Sequence, residues 1–240
     1  MTRSNLDQAG QERPASLPLL LLVLTVTTGL IDAVSVLGLG RVFTANMTGN
    51  VVFLGFALAR VPGFSLVRSL AALAAFLAGA VIGGRVAIRL ERSRRRWLAT
   101  VAVVESSLLF AAVLTALGYD GERLVPVARL YALIALTAVA MGLRNATVRR
   151  LAVPDLTTTV LTLTLAGLGA DSSLAGGDNP RFARRVASVA AMLAGAVAGG
   201  MLVLSVGVAW PLAVSGAITL LATLIYVGRA GSPPGTLLDV

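Results

Sequence analysis

The sequence predicts an all-α, polytopic transmembrane helical bundle, with about six spans plus two short re-entrant helices arranged as two inverted repeats. Three observations lead there. The chain carries too much apolar surface for water, its apolar segments have membrane length, and it holds an internal duplication whose loop charges change sides.

The apolar excess is a matter of composition. Of 240 residues, 57% are hydrophobic and 13% are charged, with a mean hydropathy of +0.88. Soluble domains are about 45–50% apolar and about 25% charged. A bilayer is the solvent that accepts the difference. All 20 basic residues are arginine, and the net charge is +9. Such a balance raises nucleic acid as a partner, but the arginines gather at the ends of apolar segments, as they do in the cytoplasmic loops of membrane proteins. No nucleic-acid partner is therefore expected. The chain has no cysteine and no histidine. This excludes disulfides, thiolate nucleophiles, the usual zinc sites, haem ligation by histidine and histidine-based triads. With no phosphate loop, metal-ligand cluster or nucleophile–base pair in view, neither an enzyme nor a cofactor or metal is expected.

Apolar segments run at about Leu17–Leu37, Thr44–Ala59, Val67–Ile88, Leu98–Leu117, Val127–Leu143, Leu156–Ala170, Val186–Val206 and Pro211–Val227. Residues 1–15 are polar and read as a disordered tail, and 229–240, with Ser232-Pro233-Pro234-Gly235, as a loose one. Residues 16–228 form a single transmembrane domain. No small-residue cleavage site follows the first apolar run, which reads as a retained first span. Most segments approach the ~20 residues a spanning helix needs. The second and sixth do not, since 15–16 residues reach only ~24 Å. Both open with polar residues, and both read as re-entrant or broken helices.

The duplication follows the same order in each half, about 17–118 and about 126–228. Residues 74–84 (AAFLAGAVIGG) match 190–200 (AAMLAGAVAGG) at nine of eleven positions. Gly29-Leu30-Ile31-Asp32-Ala33 aligns with Gly142-Leu143-Arg144-Asn145-Ala146, Thr44 and Thr48 with Thr158 and Thr162, and Trp97 with Trp210. The loop holding Arg85, Arg89, Arg92, Arg94, Arg95 and Arg96 corresponds to an uncharged stretch at 207–210. The stretch after the first segment has only Arg41, and its counterpart has Arg144, Arg149 and Arg150. Related loops with opposite charge lie on opposite sides of a membrane. Eight spans would place ten arginines on each side. Six spans with both termini inside place fifteen inside and five outside. The positive-inside rule selects six.

Chemistry concentrates where the short segments begin. A helix start within the membrane offers unpaired N–H groups and a positive dipole end, to which Thr44, Asn46, Thr48 and Asn50 add donors and acceptors. Thr157, Thr158, Thr159 and Thr162 repeat the pattern. Such ends, converging on the bilayer centre, are where transporters bind solute. The same side chains would also serve as helix caps. Asp32, inside the first segment, is expensive at that depth. It reads either as a protonatable or solute-contacting group or as half of an ion pair with Arg144 or Arg41. Its counterpart is Asn145. Glu105, beside Ser106 and Ser107, is expected near the cytoplasmic face in a structural role. Gly79/Gly83 and Gly195/Gly199 form GxxxG pairs, which serve packing between pseudo-symmetric helices or a homo-oligomer contact.

Gly29-Leu30-Ile31-Asp32-Ala33-Val34-Ser35 followed by 42–50 (VFTANMTGN) resembles the signature of the YoaK-like bacterial membrane proteins, a family named as a domain of unknown function. Gly142–Ala146 followed by 155–162 (DLTTTVLT) fits its second half, so the resemblance spans about 17–228. It implies a multi-pass protein of the bacterial inner membrane with about six helices, and no substrate. The expected function is passage of a small polar or anionic solute across the cytoplasmic membrane by carrier or channel. Asp32, Thr44, Asn46, Thr48, Asn50, Asn145, Thr158 and Thr162 are the candidate lining. The alternative is a non-transporting scaffold or sensory partner, oligomeric through its GxxxG faces.

Overall fold

A computed structural model describes residues 16–153 and 161–229. Eight α-helices are found there: α1 Ser16–Gly38, α2 Met47–Leu58, α3 Leu66–Arg89, α4 Arg94–Ala116, α5 Val127–Leu151, α6 Leu161–Ala170, α7 Phe182–Val206 and α8 Ala209–Arg229. All but α2 and α6 are long and apolar enough to cross a membrane. The twelve residues of α2 rise only ~18 Å, as the short second segment predicted.

Local sequence sets the helix starts. The side chains of Asn46, Ser65 and Ser93 accept from the backbone N–H three residues on, at Gly49, Arg68 and Arg96. Each occupies one of the donors a helix start leaves open. The polar stretch at 44–50 thus divides, with Thr44 and Ala45 in the approach and Asn46 as the cap. The fifth segment departs further from expectation. It continues past Leu143 to Leu151 and takes in Arg144, Asn145, Arg149 and Arg150, because Arg144 finds its partners inside the bundle.

Neighbouring helices form a band in the order α7, α1, α8, α4, α5, α3, with α2 against α3 and α6 against α7. Replacing each helix by the one its sequence aligns with in the other half turns this order into its own reverse. The outer seams show why. A methyl group on Gly79 would meet the Val139 carbonyl oxygen at 2.1 Å, and one on Gly195 would meet that of Val26 at 2.0 Å. Gly83 lies against Leu143 and Ala146, and Gly199 against Leu30 and Ala33. Both seams are parallel helix pairs in which glycine lets backbones touch. Van der Waals packing of this kind holds helices together where no hydrophobic drive operates. The GxxxG faces are therefore buried within the chain, each against a helix other than its pseudo-symmetric counterpart, and an oligomer would have to use others.

α4 and α8 cross antiparallel. Leu98 and Tyr226 share one buried cluster with Leu17 and Val148, while Ala116 and Val208 meet in another at the opposite end. The first end gathers the arginines at the start of α4 and the ends of α5 and α8. At the second end the Tyr119 hydroxyl donates to the Gly38 carbonyl at 2.8 Å. Burial pushes the Tyr119 hydroxyl up to about 12, so it stays a donor. From there residues 39–45 turn inward, with Leu39, Val42 and Ala45 fully buried.

Candidate functional site

A cavity of about 310 Å³ opens where the two short helices approach α1 and α7. Its wall takes Asp32 from α1, Asn46, Thr48, Gly49 and Val52 from the start of α2, Leu161 and Thr162 from α6, and Met192 from α7. The volume is at the small end of ligand sites. Four of the residues expected to line a site, Asp32, Asn46, Thr48 and Thr162, are thus brought together from both halves of the chain.

Asp32 stands six residues from the end of α1, ~9 Å inside it. It is 6% exposed, and its Oδ1 has no hydrogen-bond partner among the described residues. The Ala45 backbone N–H faces the same carboxylate from the approach to α2. Neither cation proposed for it serves. Arg41 is exposed, with its guanidinium carbon 6.0 Å from the centre of the Phe64 ring, and Arg144 is engaged elsewhere. A carboxylate oxygen buried without a partner is costly, and here it belongs to a cavity wall.

The remaining expected residues do other work. Asn50 is fully buried outside the wall. Its Oδ1 accepts from the Phe43 N–H at 2.9 Å and its amide donates to the Phe43 carbonyl. Phe43 stacks on Phe53 with ring centres 5.3 Å apart, so Asn50 fixes the approach segment onto α2. Gly49 is held small by the same ring, since a methyl there would come 2.6 Å from Phe43. Thr44 is fully buried, its hydroxyl lacks a partner among the described residues, and it lies outside the wall. Asn145 donates to the Met141 carbonyl of its own helix at 2.8 Å and does not reach the cavity. Thr44, Asn50 and Asn145, expected to line a site, thus lie outside this wall. Local backbone groups claim their amides, or the turn before α2 faces them elsewhere. Thr158, with Thr157 and Thr159, lies outside the described residues.

A second polar centre escaped the sequence reading. Arg144, 1% exposed, donates from Nε to Glu105 Oε1 at 2.8 Å and again from Nη2. Its Nη1 reaches the Leu24 carbonyl at 3.0 Å, Thr27 Oγ1 at 2.8 Å and Thr28 Oγ1 at 3.0 Å. Its Nη2 reaches Thr219 Oγ1 at 2.8 Å. One guanidinium thereby joins α1, α4, α5 and α8. Glu105 sits at the middle of α4 rather than near the cytoplasmic face, because it neutralises this arginine. Arg144 is therefore not a loop arginine, which leaves fourteen of the fifteen arginines expected inside. The signal was present as an acid inside the fourth apolar run and a base at the end of the fifth.

Comparison with known proteins agrees with the architecture. Residues 20–225 match the family described as "Protein of unknown function (DUF1275)". The chain is similar to "UPF0700 transmembrane protein YoaK" of Bacillus subtilis (strain 168), at 36% identity over 155 residues. That match covers 64% of this chain and 66% of the relative, just under two thirds of its length. No solved structure matches.

Proposed function

The chain belongs to the DUF1275 family, as a multi-pass membrane protein, and within it we propose that the protein passes a small polar solute across the membrane, as carrier or channel. The observation that carries this reading is the cavity of about 310 Å³ with Asp32 in its wall. The lining joins two short helices, one from each half, to a buried carboxylate oxygen with no hydrogen-bond partner among the described residues. Of the solute classes open to the sequence, a neutral or cationic molecule rich in hydrogen-bond donors is favoured over an anion. Among the described residues Asp32 is the one ionisable group in the wall, and an anion would meet it at close range in a weakly screening medium.

We propose further that the halves form an inverted repeat. The antiparallel crossing of α4 with its counterpart α8 and the paired glycine seams support it. In this reading the arginine-rich end faces the cytoplasm of a bacterial cell, with both termini there, and the membrane is the inner one.

The test is flux in proteoliposomes against a panel of polyols, amines and carboxylates. Asp32→Asn keeps the shape of the wall and removes the charge. A donor-rich solute is expected to move with the parent protein and at least about tenfold more slowly with the variant, an interval of ~1.4 kcal/mol. Movement of carboxylates alone, or equal flux in the variant, would overturn the assignment.

A further inference from the structure

The arginine-rich end holds a second and larger cavity, about 440 Å³, lined by Ala87, Glu91, Arg94, Trp97, Arg150 and Leu151. We infer that this cavity seats the phosphodiester of an anionic phospholipid. It does not depend on the solute cavity at Asp32, which lies among other helices.

Three features converge. Arg94 opens α4 and Arg150 lies in the last turn of α5, so two guanidinium groups from different helices meet at one opening. Neither is ion-paired among the described residues. Planar guanidinium groups hold phosphate oxygens through paired N–H donors. The first turn of α4 adds a positive dipole end on the same side.

The floor is apolar. Ala87, Trp97 and Leu151 belong to one cluster with Val101 and Leu143. Next to it on α3, Ile88 and Val81 turn 60% and 52% of their surface outward. That face gives acyl chains a path away from the charged opening, which free phosphate would not use. Trp97, with an apolar body and a polar edge, is the residue type that settles at headgroup level. Glu91 is the acidic member of the wall and is exposed. It opposes a bare phosphate, yet suits a headgroup that also presents hydroxyl donors, as phosphoglycerol does. Basic pockets between membrane helices hold such headgroups elsewhere.

Purified full-length protein titrated with phosphatidylglycerol, phosphatidylcholine or inorganic phosphate, with bound lipid counted by native mass spectrometry, tests this. Two variants with equal charge are compared. Arg94→Gln with Arg150→Gln empties the cavity of its cations, while Arg95→Gln with Arg149→Gln removes the same charge from the same end outside it. The first pair is expected to weaken phosphatidylglycerol binding about tenfold and the second to leave it within about twofold of the parent. Should the first pair fail to fold, Arg150→Gln alone, at an exposed position, takes its place against Arg149→Gln. Equal losses in the two variants would mean general attraction to a charged surface and would overturn the site. Phosphatidylcholine bound as tightly as phosphatidylglycerol, or inorganic phosphate displacing it, would overturn the lipid assignment.

Discussion

Arg144 and Glu105 illustrate how a single residue can organise a membrane bundle. A charge at mid-membrane is tolerated when every donor has an acceptor, and the Arg144 guanidinium finds Glu105, three threonine hydroxyls and the Leu24 carbonyl. Removing one partner leaves the other charged and buried. Arg144→Met or Glu105→Leu alone is therefore expected to destabilise by ~3–5 kcal/mol, read as a lower midpoint in denaturant titration in mild detergent. The double substitution should recover most of that loss, because apolar replacements of similar volume lack the desolvation cost. A double variant no better than the weaker single one would show that the pair stabilises beyond neutralising itself. Asp32, by contrast, has no such set of side-chain partners among the described residues. The two acids differ in environment rather than in depth alone, and that difference is what separates a structural knot from a candidate site.

At the scale of elements, the glycine seams decide which helices can approach. Gly79 and Gly195 stand in equivalent contacts, while a methyl on Gly84 would meet no atom within 4 Å. Gly79→Ala and Gly195→Ala should each cost several kcal/mol, since the added carbon meets backbone that cannot swing aside, and the two losses should be alike. Gly84→Ala should leave stability unchanged to within ~0.5 kcal/mol. Thermal unfolding in detergent checks all three, and a large difference between the first two would show that the seams are not equivalent. These glycines were legible in the sequence as a repeated eleven-residue stretch, as were the spans and both short helices, because hydropathy and length follow from the bilayer itself. The partners of single side chains were less legible. Asn50 and Asn145 read as lining because they are polar at membrane depth, and the backbone geometry that lets Phe43 or Met141 claim them is absent from spacing. The pairing of Arg144 with Glu105 crosses between halves, which local pattern does not reach.

For the whole molecule, sidedness is the property on which the proposed function turns. A solute path through the cavity at Asp32 requires that the two ends of the bundle lie on opposite sides of the membrane and that water reach Thr48 and Thr162, both exposed in the fold. The chain has no native cysteine, so single cysteines report without background. Arg95→Cys marks the arginine-rich end and Glu122→Cys the other. In sealed cells a membrane-impermeant thiol reagent should label position 122 and spare position 95 until the membrane is opened. Labelling of both from outside would mean that α4 does not span. Cysteines at 48 and 162 should then react from the same side as one another, and added solute should slow both together, because one cavity wall contains them. Silence at both positions from either side would remove the aqueous path and with it the transport reading. Protection of one without the other would separate the two short helices and dissolve the shared site.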